Sequence, residues 1–132
     1  MKIVLAPDSF KESLSSFEVC NALKTGLLKE LPDIQVVLSP IADGGEGTVE
    51  TLLTVSGAKS YSNKVMGPMG QEVRAKWGIL SENANTAIIE MASASGLPLI
   101  PPELRNPMKT TSYGVGELIS HAVDTGARNI LI

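Results

Sequence analysis

The stretch Pro40-Ile41-Ala42-Asp43-Gly44-Gly45-Glu46-Gly47-Thr48 constrains this chain more than any other. An apolar, β-branched run from Ile34 to Leu38 leads into it, and a helical spacing of apolar residues (Val49, Leu52, Leu53) leads out. A carboxylate and three glycines therefore stand where a predicted strand hands over to a predicted helix. Such a turn brings backbone N–H groups and a helix N-terminus close to an anion, because glycine has no Cβ to hold the ligand away. The same residues have an internal use. Asp43 and Glu46 have the spacing of a capping box, which satisfies orphan N–H groups with no ligand present. Local sequence leaves both readings open.

The residues before this turn repeat its design. Lys2–Ala6 is a short apolar run ended by Pro7, as in a buried strand of a parallel sheet. A polar turn, Asp8-Ser9-Phe10-Lys11, follows. Ser15 and Glu18 then form a capping box, with Leu14 and Val19 at the staple positions. Cys20, Leu23, Leu27, Leu28 and Leu31 keep one apolar face until Pro32 stops the helix. A second helix is expected from about Gly45 to Val55, ending near Gly57. The order β-α-β-α predicts an α/β chain that starts on a parallel sheet with right-handed crossovers. Asp8 and Asp43 then share the carboxyl edge of that sheet, where open α/β sheets bind ligands.

The texture changes at Ala58, and we place a domain boundary there, between 1–58 and the start of a second α/β domain at 59–132. Lys59–Met66 and Glu72–Leu80 read as strands joined by the turn Gly67-Pro68-Met69-Gly70, a β-hairpin. Trp77 within it reads as packing. Thr86–Ala92 is a further buried strand, bearing Glu90 and followed by Ser93 and Ser95. A proline-rich loop holding Arg105 leads to Thr110-Thr111-Ser112. Val115, Leu118, Ile119, Ala122 and Val123 then give the clearest helical stripe in the chain, with Gly126 placed to cap it. Asn129–Ile132 begins a strand on which the sequence stops, so a truncated protein is expected. An unpaired terminal strand also invites association with a second copy, a homo-oligomer.

Composition narrows the chemistry. A net charge of −3 argues against a nucleic-acid surface and sets a problem for an anionic substrate, which local cations, backbone dipoles or a metal must then receive. The single cysteine, Cys20, excludes an internal disulfide and suits a reducing cytoplasm. No apolar run approaches the ~20 residues that span a bilayer, and Met1-Lys2 leads straight into a strand without a signal-peptide core. The one histidine, His121, lies mid-helix and reads as solvated or cap-adjacent.

Neither a Walker phosphate loop nor a dinucleotide-binding glycine fingerprint is present. What remains is four polar clusters at strand ends: Asp8–Lys11, Asp43–Thr48, Glu90–Gly96 and Thr110–Glu117. Carboxylates, hydroxyls, glycines and a lysine suit phosphate and Mg²⁺, since Mg²⁺ is content with one or two carboxylates plus phosphate oxygens. Lys11 at 4 Å from a phosphate oxygen supplies ~4 kcal/mol at an effective dielectric near 20. A helix N-terminus supplies only ~0.3–1 kcal/mol. Each cluster also has a purely structural reading: Thr110-Thr111-Ser112 as an N-cap, Glu90 as a paired strand-end carboxylate, Ser93 and Ser95 as turn residues.

Read together, Asp8-Ser9-Phe10-Lys11, Ala42-Asp43-Gly44-Gly45-Glu46-Gly47-Thr48, Ile89-Glu90-Met91-Ala92-Ser93-Ala94-Ser95-Gly96-Leu97 and Arg105-Asn106-Pro107 through Ile119 resemble the bacterial glycerate kinase family, in that family's order. The resemblance covers the whole chain. It implies ATP-dependent phosphorylation of D-glycerate with Mg²⁺ in the cytoplasm, on two α/β domains, one Rossmann-like and one inserted into it. Family members are much longer, so the chain resembles their N-terminal part only, and the isolated chain is expected to be inactive. Residue type and placement then suggest roles. Asp43 is the expected catalytic or metal-binding carboxylate, with Asp8 as partner, general base or alternative Mg²⁺ ligand. Lys11 neutralises phosphate or the glycerate carboxylate, with Arg105 as runner-up. Ser9, Gly44, Gly45, Glu46, Gly47, Thr48, Glu90, Ser93, Ser95, Thr110, Thr111 and Ser112 are the expected substrate-binding set. The competing class is a non-catalytic α/β module that binds Mg²⁺ or a phosphorylated ligand at its acidic strand-end pair.

Overall fold

A computed structural model describes residues 1–80 and 85–132, as a mixed α/β chain. It has two units, Met1–Asp43 and Gly44–Ile132.

In the first unit, β1 (Lys2–Leu5) and β2 (Gln35–Leu38) pair in parallel, with Leu5 opposite Leu38. Parallel strands need a crossover, and α1 (Ser16–Glu30) is that crossover. Its capping box forms as the sequence predicts: Ser15 N–H donates to Glu18 Oε2 at 2.7 Å, and Glu18 N–H donates to Ser15 Oγ at 3.3 Å. Two expectations are corrected. β1 is not a buried strand, since Val4 is 55% exposed and only Leu5 is buried. The apolar stripe of α1 is likewise only partly covered: Val19 and Cys20 are buried, while Leu14, Leu23 and Leu31 stay exposed. The reason is geometric, because two strands and one helix give each element a single partner face within the unit.

The second unit opens on the glycine turn. α2 begins at Thr48 and runs to Ser56, not from Gly45 as the apolar spacing suggested. Gly44 and Gly47 take φ values of +95° and +86°, a left-handed conformation that delays helix entry until Thr48. Gly47 is therefore the N-cap, and no side chain caps it locally, so Asp43 and Glu46 do not act as the capping box of α2. Gly57 closes the helix at φ +62°.

A four-stranded sheet follows, in the order β3-β4-β5-β6. β3 (Lys59–Met66) and β4 (Glu72–Ile79) form the predicted hairpin, with Gly70 at φ +82° in its turn. β5 (Thr86–Ile89) is antiparallel to β4 and parallel to β6 (Asn129–Leu131). The strand expected to reach Ala92 ends at Ile89, because Met91–Ser95 turns into a short helix, α3. The proline-rich loop holds two 3-10 turns, Leu97–Leu99 and Pro102–Leu104. The helical stripe becomes α4 (Tyr113–Asp124). Its C-terminus is a Schellman motif, with Gly126 N–H donating to Val123 O and Ala127 N–H to Ala122 O at 2.9 and 3.0 Å.

α4 and α3 cover the sheet, burying Val65, Ala75, Trp77, Ile79, Ala87, Ile89, Ala94, Val115, Leu118 and Ala122 in one core. Trp77 packs as expected, 1% exposed and stacked on Tyr61 at a ring separation of 4.5 Å, with its indole N–H donated to Asn63 Oδ1 at 2.8 Å. Gly114 explains itself here. A Cβ at that position would stand 2.1 Å from Met66 O, so glycine is required where α4 crosses β3.

Candidate functional site

The first cluster is built by strand pairing. Backbone pairing runs on past the ends of β1 and β2: Ser39 N–H donates to Leu5 O at 2.8 Å and Ile41 N–H to Pro7 O at 3.2 Å. The segments carrying Asp8 and Asp43 thus leave the sheet side by side at its carboxyl edge, as the β-α-β reading required. Asp8 is half-buried, and its Oδ1 accepts from Ser9 N–H at 2.7 Å, which fixes the carboxylate against its own turn. Asp43 is exposed. Lys11 sits on a tight turn, exposed, where Phe10 and Leu14 pair through Phe10 N–H to Leu14 O at 2.9 Å and Leu14 N–H to Phe10 O at 3.0 Å. The next residue, Glu12, takes φ +59°, the one non-glycine in that region among the described residues.

The second cluster lies around the start of α2. Glu90, 8% exposed, follows β5 and directs its carboxylate at that helix: Oε2 accepts from Val49 N–H at 3.2 Å, and Gly47 N–H is a second donor. Burial raises the Glu90 pKa, the two N–H groups pull it back, and the charges of Glu46 and Glu50 push it up further. Sequence reasoning placed Glu90 among the substrate ligands and missed this long-range cap. The donor lies 41 residues away, and no local spacing encodes such a pair. A second anion entering the same helix end would meet Glu90, and one unit charge at 4 Å repels another by ~4 kcal/mol at an effective dielectric near 20. The hydroxyls of Thr48 and Ser95 are buried without a hydrogen-bond partner among the described residues. Ser93 is engaged structurally, with Oγ 2.9 Å from Glu90 O and 3.0 Å from Lys76 O.

The third cluster, at the start of α4, docks on the hairpin. Thr111 N–H donates to Pro68 O at 2.9 Å, and Glu117 Oε2 accepts from Met66 N–H at 2.6 Å. Ser112 holds the N-cap position without a side-chain cap bond, while Thr111 Oγ1 accepts from Tyr113 N–H at 3.1 Å. The cap reading of Thr110-Thr111-Ser112 is thus met by Thr111 in place of Ser112. Arg105 braces its loop, donating from Nε to Ile100 O at 3.3 Å and from Nη2 to Leu97 O at 3.4 Å.

The family model for the glycerate kinase family matches residues 3–132. The chain belongs to the glycerate kinase family. The glycerate 2-kinase of Escherichia coli K12 is 53% identical over the full 132 residues, and the glycerate kinase of Bacillus subtilis 168 is 47% identical over the same span. A crystal structure from Salmonella typhimurium LT2, provisionally described as a glycerate kinase 2, superposes with a TM-score of 0.71 at 49% identity over 98% of the chain. In each case the chain covers 34% of the relative, so it spans about a third of the glycerate kinases it matches. Among the described residues no helix is long and apolar enough to cross a membrane, and no group of three or more His, Cys, Asp or Glu is placed to hold a metal on its own.

Proposed function

We propose that this chain forms the N-terminal part of a glycerate kinase, which transfers the γ-phosphoryl group of ATP to a hydroxyl of D-glycerate in the cytoplasm. The observation that carries the reading is the backbone pairing beyond β1 and β2, which delivers Asp8 and Asp43 to one sheet edge. Asp43, exposed and following the paired segment, is the proposed catalytic carboxylate that accepts the substrate hydroxyl proton. Asp8, held by Ser9 N–H, is its partner. Lys11 neutralises phosphate or the glycerate carboxylate, and Arg105 is the second candidate for that carboxylate. Ser9, Gly44–Thr48, Ser95 and Thr110–Ser112 supply the remaining polar contacts, and the unpartnered Thr48 and Ser95 hydroxyls suit that task.

Two carboxylates, with no third ligand beside them among the described residues, form too sparse a set for a metal cage but fit Mg²⁺, which takes hard oxygen ligands and shares them with phosphates. Asp43 or Asp8 would hold it, and bound Mg²⁺ would offset phosphate charge. The domain assignment follows the same reading, with a Rossmann-like domain begun by 1–58 and a second α/β domain begun by 59–132. Association through the edge strand β6 into a homo-oligomer is the accompanying proposal.

Asp43→Asn in the complete kinase should lower turnover by ~10²–10⁴-fold. A near-normal rate in a folded protein would remove Asp43 from the catalytic role. The 132-residue chain alone should convert no glycerate when titrated with Mg-ATP and glycerate, and measurable transfer would overturn the expectation that it holds only part of the site.

A further inference from the structure

Glu90 is the one buried charged residue among those described, and its carboxylate is directed at α2. The helix it serves is poorly equipped to hold itself. α2 has nine residues, below the ~12–15 at which an isolated helix becomes stable, and its N-cap glycine brings no side chain. The turn that feeds it is no stiffer. Gly44 and Gly47 both take positive φ, and nothing lies within 4 Å of a Cβ built on either. No packing around Gly44 or Gly47 themselves holds the two glycines in place. The helical end of the turn is held by the backbone bonds Thr48 N–H to Gly45 O at 3.2 Å and Thr51 N–H to Gly47 O at 3.0 Å, and tied to the sheet by the N–H groups of Gly47 and Val49 that donate to Glu90.

We propose that Glu90 is a positioning residue: by clasping the first turn of α2 it fixes the Gly44–Gly47 turn against the substrate-binding edge. The effect on turnover rests on the kinase reading above, whereas the clasp does not. A consequence is that the N-terminus of α2 is already occupied by an internal anion, flanked by Glu46 and Glu50. The anionic groups of the substrate are received elsewhere.

Amide hydrogen exchange on the 132-residue chain tests the clasp. Glu90→Ala should speed exchange at Gly47 and Val49 while the amides of the β3–β4 hairpin keep their protection. Glu90→Gln, which retains a carbonyl acceptor, should restore protection. Kinetics on the complete kinase test the consequence. Glu90→Ala should lower kcat by about 10²-fold, the scale of a small misplacement of reacting groups, with KM for glycerate moving far less, and Glu90→Gln should recover most of kcat. If Glu90→Ala does not fold, Glu90→Asp, one methylene shorter, takes its place with the same expected losses. Unchanged exchange at both amides, or unchanged kcat in a variant with faster exchange, overturns the proposal. Absence of glycerate kinase activity in the unsubstituted complete protein would instead overturn the kinase reading and leave the exchange result to decide the clasp.

Discussion

The first unit and the second use the same materials and bury them to different degrees. Both contain parallel strands joined through helical crossovers, and both carry clear apolar stripes. In the second, the stripe of α4 closes on a sheet whose Trp77, Ala75 and Ile89 are all but inaccessible. In the first, α1 buries little beyond Val19 and Cys20, and Val4, Phe10 and Ile41 are each more than half exposed. An apolar stripe thus declares that a face seeks a partner. Whether the partner is present depends on how many elements the unit contains, since a domain needs packed layers around one core. The two carboxylates proposed for chemistry sit on the unit whose apolar faces stay open, and the turn that Glu90 holds belongs to the unit with the buried core.

That contrast has a sharp energetic form. Trp77→Ala should destabilise the second unit by ~3–5 kcal/mol, since it opens a cavity against Tyr61 and leaves Asn63 without its indole donor. Leu23→Ala, at a position 46% exposed, should stay within ~0.5 kcal/mol. Urea unfolding followed by far-ultraviolet circular dichroism measures both, and hydrogen exchange assigns each loss to its unit. Equal losses at the two positions would break the comparison.

Titration separates the units by sign. Glu18 in the first unit is held below its ordinary pKa by Ser15, through the backbone N–H and then the hydroxyl. Its contribution is present above the ordinary value and is lost as pH falls through the native one. Glu90 in the second unit is raised, first by burial. The native state then binds its proton more tightly than the unfolded chain. That contribution is full below the ordinary glutamate value near 4.3 and is lost as pH rises through the native pKa. The stability difference between the unsubstituted chain and Glu90→Gln should fall with rising pH, by at most ~1.4 kcal/mol per pH unit. A difference that grows with pH would reverse the sign assigned to Glu90.

Much of this was legible in the sequence because it is local. The Ser15–Glu18 box, the hairpin turn ending in Gly70 and the Gly126 cap are each written within a few residues, and each forms as read. The strand order β1-β2 followed from alternation of strands and helix, and so did the common edge of Asp8 and Asp43. What escaped was long-range or conformational. Glu90 finds its donors 41 residues away, and Glu117 finds Met66 N–H 51 residues away. The start of α2 was misplaced because the apolar pattern carries no information about φ, and glycines at +95° and +86° defer the helix. Gly114, in the first turn of α4, carried no local signal of its role. The reason for a glycine there, contact with Met66 O, lies on another element.

The smallest expected effect distinguishes two serines with the same nominal position. Ser15 and Ser112 are both N-caps, of α1 and α4. Ser15 makes the full reciprocal box, with its hydroxyl also within 2.8 Å of Glu18 Oε2, whereas Ser112 makes no side-chain cap bond. Ser15→Ala should therefore cost about 1 kcal/mol, in the usual range for a lost cap, and should return the Glu18 pKa toward its ordinary value in an NMR titration. Ser112→Ala should lie within the few tenths of a kcal/mol typical of surface positions, because Thr111 Oγ1 already serves Tyr113 N–H. A cap bond stabilises only where it is made. The helix that rests on little packing, α1, has the complete box, and α4, backed by a closed core, does without one at Ser112. Equal losses for the two substitutions would show that Ser112 caps α4 in solution and that the two helices are secured alike.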